Sequence, residues 1–360
     1  MNSLAFSKYL GDRSRGLAHF RHAGGGQNPY TLPLMERRKI LLDADVGIDD
    51  AIAMLHLAGR SDVELVAVGS VHGNIPSDLA AANARRLLEL CGLDDVPVAI
   101  GARRPMAQPL ATAEWVHGED GLGNTNQPAP KRGPVSEDAV SQILRLTREM
   151  PGEIDLLAVG PLTNLGLALC IDPELAGRVR SVVVMGGAIA HEGNASATAE
   201  ANIWHDPEAA NLVFGAEWPV TMVGLDVTQV TRLRTKELAD IEALGSVRSK
   251  FALKVLSHYL DVYQRTFGTR ECPLHDPLAA GIVADPTYLT EWLDRAVEVN
   301  TTGPTRGATI IDRRAWMTPA ADARETRERN GGKDATPPLV RVPMKVDGPR
   351  FVADLISSLK

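Results

Sequence analysis

From residue 39 onward, short apolar runs alternate with stretches of helical spacing. The run at 39–42 ends in acids, 63–71 is rich in β-branched residues, and 96–100, 154–159, 182–185 and 220–223 are short and largely apolar. All six predict strands, the last three of the kind buried on both faces. Between them the spacing predicts helices over 49–58, 77–91 and 136–150. Ser77 is expected to cap the second, with Gly92 just past its end, and Glu137 and Asp138 fall in the first turn of the third. Further helices are expected to begin near Pro207, Ser246 and Pro277 and to run over 347–359, with extra strands at 297–300 and 309–311. The charged, Gly- and Pro-containing stretch 318–338 reads as an exposed loop. This alternation predicts an α/β fold, a mostly parallel sheet flanked by helices on both faces. With no internal repeat and no linker cutting the body, it predicts a single domain.

Residues 1–34 break the pattern. They carry Lys8, Arg13, Arg15 and Arg21 against Asp12 alone, include Gly24-Gly25-Gly26, and hold no apolar stretch of the secretory kind. They read as an N-terminal extension, disordered or not native, ahead of a domain over 35–360 for which Met35 can serve as the start. Charge and composition then exclude several classes. The 360 residues hold 38 basic and 45 acidic side chains, a net charge of −7, so nothing draws the chain generally toward nucleic acid or an anionic membrane. Aromatics at 4% argue against a stacking platform for single strands. No charge-free apolar stretch reaches the roughly 18 residues of a membrane span; the best, 156–171, is interrupted by Gly160, Pro161, Thr163 and Asn164. Cys91, Cys170 and Cys272 are odd in number and far apart, so they suit core positions in a protein of the reducing cytoplasm.

Ligands of open parallel sheets sit at the carboxyl ends of the strands. There this chain places Asp43-Ala44-Asp45-Val46-Gly47-Ile48-Asp49-Asp50, then Gly73-Asn74, Gly160-Pro161-Leu162-Thr163-Asn164 and Met185-Gly186-Gly187. A helix cap explains Asp49 and Asp50, since acids favour a helix start, but not Asp43 and Asp45 at a strand end. Like charges this close require a cation or a proton between them. Carboxylates without nearby Cys or His point to Ca²⁺ or Mg²⁺ rather than zinc, and Gly47 lets the backbone turn the two acid pairs toward one ion. Phosphatases of the haloacid dehalogenase type also begin with Asp-x-Asp, but they carry Thr or Val where this chain has Gly47.

The octapeptide 43–50 resembles the Asp-x-Asp-Pro-Gly-x-Asp-Asp signature of the inosine–uridine-preferring nucleoside hydrolases, with Val46 in place of the proline. Val71-His72-Gly73-Asn74, His117-Gly118-Glu119-Asp120-Gly121-Leu122-Gly123, His191-Glu192-Gly193-Asn194, Glu200-Ala201-Asn202, Asp206-Pro207-Glu208-Ala209-Ala210, Val223-Gly224-Leu225-Asp226-Val227-Thr228 and His275-Asp276-Pro277 are similar to later segments of that family, in order, across 39–360. The resemblance implies a Rossmann-like sheet and Ca²⁺-dependent hydrolysis of the N-glycosidic bond of ribonucleosides. It places Ca²⁺ among Asp45, Asp50, Asp276 and the carbonyl of Val159, with Asp45 as general base and His275 as the acid at the leaving base. Asp49 and Asn202 would face the 2′-hydroxyl, Asp276 and Asn74 the 3′ side, and Asn194 and Glu200 the 5′-hydroxyl, with Met185 under the sugar ring. The partner is a small ribonucleoside, and the family suggests a homodimer or homotetramer.

Other expectations are open or bland. His117 is equally a solvated loop residue or part of the base pocket. His191 is expected to order the Asn194 segment, Asp43 to orient its neighbours, and Asn164 to cap the helix that follows. Asp-Pro pairs at 172, 206, 276 and 285 mostly suit helix caps, and nothing local separates His205-Asp206-Pro207 from His275-Asp276-Pro277. Family order alone selects the second as the site and leaves His205 non-catalytic. Tyr259, Tyr263 and Phe267 share a helical spacing and suit the core. Two alternative functions remain: a ribose or nucleoside binder without catalysis, and a hydrolase of another N-riboside. Base preference is not legible.

Overall fold

The computed structural model describes residues 37–314 and 338–360. The expected extension at 1–34 and all but the last residue of the loop expected at 318–338 lie outside these. In chain order the first half reads β1 (Arg38–Ala44), α1 (Ile48–Ala58), β2 (Val63–Ser70), α2 (Ser77–Leu90), β3 (Val98–Ala99), α3 (Glu114–His117), α4 (Ala139–Glu149), β4 (Ile154–Ala158), α5 (Thr163–Ile171) and β5 (Ser181–Met185). The second half reads α6 (Ala201–His205), α7 (Pro207–Gly215), β6 (Val220–Val223), α8 (Leu225–Thr228), β7 (Arg232–Leu233), α9 (Thr235–Leu244), α10 (Val247–Phe267), β8 (Cys272–Pro273), α11 (His275–Ala284), β9 (Leu289–Arg295), β10 (Glu298–Val299), β11 (Thr309–Ile310), β12 (Val340–Val346) and α12 (Gly348–Ser358).

Eight strands form one sheet in the order β3-β2-β1-β4-β5-β6-β12-β9, parallel except for β9, which runs antiparallel to β12. Period-2 alternation divides the strand side chains between two cores. Ile40, Leu42, Leu157, Val183 and Met185 pack under α1, α2, α10, α11 and α12. Leu41, Leu156, Ala158, Val182 and Val184 pack under α4, α5 and α7. α1 and α11 are buried almost along their whole length, because they lie against each other over the middle of the sheet. The sheet reverses its winding between β1 and β4, so the crevice at the carboxyl ends of those two strands is where a ligand is expected.

Local chemistry moved several expected boundaries. Ser77 is helical rather than a cap; its hydroxyl meets Ser70 Oγ (2.9 Å) and donates to the Gly101 carbonyl (3.2 Å). Asp138 is itself the cap of α4, accepting from Ser141 N (3.0 Å), so Glu137 precedes the helix and pairs with Arg145. The strands expected at 297–300 and 309–311 pair with each other as a separate antiparallel ribbon. Cys272 is buried, but Cys170 is exposed and is not a core filler.

Candidate active site

The loop leaving β1 sets the first half of the site. Val46 takes φ = 21°, a conformation a β-branched residue rarely adopts, and the chain turns through Gly47 directly into α1. Asp50, on the first turn, accepts from Gly47 N (2.8 Å) and Asn74 Nδ2 (3.1 Å) through Oδ2. Asp45 accepts from Asn74 N (2.6 Å) and Asn74 Nδ2 (3.1 Å), so one asparagine bridges both carboxylates. Gly73 has φ = 154°, and a Cβ there would overlap Asp45 Oδ2. Asp43 stands behind, its Oδ1 receiving Asn164 Nδ2 (2.7 Å), which also donates to the Ser70 carbonyl (2.9 Å). Asn164 is therefore not the expected cap of α5: it ties Asp43 to β2 and accepts from Ala102 N (2.8 Å).

The other elements close a cavity of about 340 Å³ around this loop. Asp49, Asn74, His117, Val159, Met185, Asn194, Glu200, Asn202, His275 and Asp276 all line it. Asn202 Nδ2 donates to the carbonyls of Val159 (3.0 Å) and Met185 (3.1 Å). Glu200 caps α6, accepting from Gly187, Asn202 and Ile203 N–H groups. Asn194 Oδ1 accepts from Ala201 N (2.9 Å), and the Asn194 backbone is held by the Ala199 carbonyl rather than by His191, whose ring meets the Glu192 carbonyl. His117 is buried, not solvated: Ile48 N donates to its Nδ1 (3.1 Å). His275 Nδ1 meets Thr228 Oγ1 at 2.8 Å, a partner the sequence did not single out.

Three comparisons with known proteins bear on this arrangement. A family described as inosine–uridine preferring nucleoside hydrolase matches residues 40–353. The chain belongs to this family. A probable uridine nucleosidase 2 of Arabidopsis thaliana is 33% identical over 326 residues, covering 90% of this chain and 98% of its own. An inosine–uridine preferring nucleoside hydrolase of Crithidia fasciculata is 37% identical over 279 residues, covering 76% and 88%. The solved plant nucleoside hydrolase PpNRh1 superposes with a TM-score of 0.82 at 32% identity, covering 89% of this chain and 98% of its own. These neighbours are enzymes, and hydrolysis of the N-glycosidic bond of ribonucleosides goes with the family.

Electrostatics of the nucleoside hydrolase site ask for a cation. Asp43, Asp45, Asp49, Asp50 and Asp276 are all buried. Burial pushes Asp43 and Asp50 up to about 7, and raises Asp45 and Asp276 well above the carboxylate range, helped by repulsion from Asp49 and Asp50. No lysine or arginine is among the described residues lining the cavity. Carboxylate oxygens of Asp49, Asp50 and Asp276 lie within 4.8 Å of one another, and Oδ1 of Asp49 and of Asp50 have no hydrogen-bond partner among the described residues. A hard, oxygen-seeking cation fits this donor set. The tightest trio contains Asp49 where the sequence reading had Asp45.

The structure also separates the twin tripeptides. Asp172, Asp206 and Asp285 each cap the helical turn that follows, accepting from Glu174, Ala209 and Thr287 N–H groups. Asp276 does not: it is the second residue of α11, with Leu274 at the cap position, so its carboxylate is free to face the cavity. Tyr259 and Tyr263 are buried, but Phe267 is exposed and is not a core residue. The rings of Tyr259, Tyr263 and Phe267 meet in sequence along α10, the first pair edge-to-face at 4.9 Å and the second tilted at 5.2 Å; Tyr259 lies 5.8 Å from His117, and all three line the cavity. Trp115, exposed on α3, and His205 line it too.

Proposed function

We propose that this chain hydrolyses ribonucleosides to ribose and a free base with Ca²⁺ at the carboxylate cluster. The observation that carries the reading is the buried carboxylate trio of Asp49, Asp50 and Asp276, of which Asp49 and Asp276 line a 340 Å³ cavity at the sheet's switch point. Asp45, Asp50, Asp276 and the Val159 carbonyl would hold the metal, with Asp49 beside them. A metal held there would make a nearby water easier to deprotonate.

Asp45 takes the proton of the attacking water. Without the metal, burial and the charges of Asp50 and Asp49 raise its proton affinity above that of a surface aspartate. The ribose is oriented by Asp49 and Asn202 at the 2′ side, Asp276 and Asn74 at the 3′ side, and Asn194 and Glu200 at the 5′ side. Met185, buried at the end of β5, packs beneath the ring. Anionic oxygens around C1′ favour the positive charge that develops there as the bond to the base breaks. His275 donates to the departing base from its protonated form; burial lowers its pKa to about 4, which works against that form at neutral pH, and the Asp49 carboxylate opposes the shift. His117 and the tyrosines of α10 form the wall on the base side. The enzyme works in the reducing cytoplasm, a reading supported by its free cysteines.

A ribonucleoside panel scored for ribose release, with and without EDTA, tests this. Turnover of at least one ribonucleoside, lost in EDTA and restored by Ca²⁺, is expected, with 2′-deoxy analogues cleaved at least about 10²-fold less well because the 2′-side groups are left unpaired. Turnover indifferent to EDTA overturns the metal assignment, and binding without base release overturns the reaction.

A further inference from the structure

The tripeptide His205-Asp206-Pro207, unused by the reaction, stands where three segments behind the cavity meet. Gln108 Nε2 donates to the carbonyls of Trp204 (2.9 Å) and His205 (2.8 Å), which close α6 and have no partner within that short helix. Asp206 accepts from Met106 N (3.0 Å) and Thr163 Oγ1 (2.7 Å) while capping α7. Arg306, in the loop of the β10–β11 ribbon, donates from Nε to Gln108 Oε1 (2.9 Å) and from Nη1 and Nη2 to the two oxygens of Glu208 (2.6 Å each). It also reaches the Thr301 carbonyl. The ribbon loop is pressed onto α6, since a Cβ at Gly307 would lie 2.9 Å from Trp204 Cα.

The front of this assembly is the cavity. Residues 111–113, 115 and 116 form one wall, and Ala201, Asn202, Trp204 and His205 of α6 form another, while Gln108 and Arg306 line neither. We propose that Arg306 and Gln108 are positioning residues that fix the gap between these two walls and so set the enzyme's affinity for its substrate. The planar guanidinium is what makes the device work. Its fork engages Glu208 bidentately while the Nε–H points at Gln108, a geometry a lysine cannot reproduce. Gln108 then carries that fixed position to the end of α6, the helix on which Asn202 sits. The inference rests on the cavity being the ribonucleoside pocket.

The test compares wild type with Arg306→Met, Arg306→Lys, Gln108→Leu and the Gln108→Leu/Arg306→Met pair. The substrate is the ribonucleoside that wild type cleaves best. Each single variant is expected to raise KM about tenfold, the worth of one hydrogen bond to a charged or well-ordered group, with kcat within twofold. The lysine variant should match the methionine one, and the pair should be no worse than the worse single. Amide hydrogen exchange over 106–117 and 201–205 should quicken in step. Unchanged KM in the folded variants overturns the proposal, whatever the exchange shows, as does a loss in kcat with KM held. If Arg306→Met does not fold, Gln108→Leu decides alone, because it leaves the Arg306–Glu208 pair in place. If wild type cleaves no ribonucleoside, the functional reading fails, and exchange decides the clamp: unchanged protection overturns it.

Discussion

Asp45 and Asp43 stand two residues apart and do different work. Asp45 receives both N–H groups of Asn74 and lies in the repulsive field of Asp50 and Asp49, whereas Asp43 is paired with Asn164 and faces β2. Asp45→Asn should therefore keep the fold. It retains an acceptor for Asn74 N and removes one buried charge from a crowded set. It should cost about 10³-fold in kcat, the usual scale of a lost general base, measured by ribose release beside an unchanged circular dichroism spectrum. Activity within tenfold of wild type would assign the base elsewhere. At this scale the sequence shows the chemistry and hides the geometry. Four aspartates in eight residues declare a site, but only the structure shows which is turned outward. Asp276 was legible by family order alone, because its difference from Asp206 lies in a helix boundary two residues away. Asn164 looked like a cap because it opens a helix, and its true partners are far from it in sequence.

α1 crosses the middle of the sheet and meets α12, and at their contact lies His56. Ser358 Oγ donates to the Leu355 carbonyl (2.6 Å) and so accepts from His56 Nδ1 (2.9 Å), leaving Nε2 buried without a partner; the ring stands edge-on to Phe351. Burial lowers the His56 pKa from 6.5 to about 3. The unfolded chain gains this proton below pH 6.5 and the native one does not until about 3, so stability falls as pH drops through that window. At pH 5 the loss is about 2 kcal/mol. His56→Leu should shrink the difference in unfolding free energy between pH 7.5 and pH 5 by about that much; an unchanged difference would place the acid sensitivity in another group. The central strands and the longer helices other than α9 follow directly from apolar periodicity, while α3, α6, α8 and α9 do not. Nor do β9 and β12. β9 is an edge strand with only Arg295 buried, and β12 carries Pro343, which argues against a strand inside a sheet. The proline is tolerated because β12 pairs with β6 only at Val340 and Arg341, before Pro343 is reached.

Across the whole molecule, the net charge of −7 is unevenly spent: five aspartates and Glu200 are buried around one crevice, at the point where the sheet changes direction. A parallel sheet delivers strand ends, and hence their polar loops, to one rim, so the fold itself concentrates the repulsion. The metal-free protein should be less stable than the loaded one, and by an amount set by mass action. With Ca²⁺ at a hundred times its Kd the gain is about 2.7 kcal/mol, which raises Tm by about 4 °C in a domain of this size. Thermal unfolding in EDTA, then with added Ca²⁺, measures it; a Tm that ignores both would mean the cluster is neutralised by protons instead. Asp50→Asn separates the two cases further. It removes a repelling charge and a ligand together, so in EDTA at pH 8 its Tm should exceed that of wild type, and Ca²⁺ should no longer move it. A variant that is weaker in EDTA would show that the Asp50 carboxylate, through its bonds to Gly47 N and Asn74, stabilises the loop by more than its charge costs.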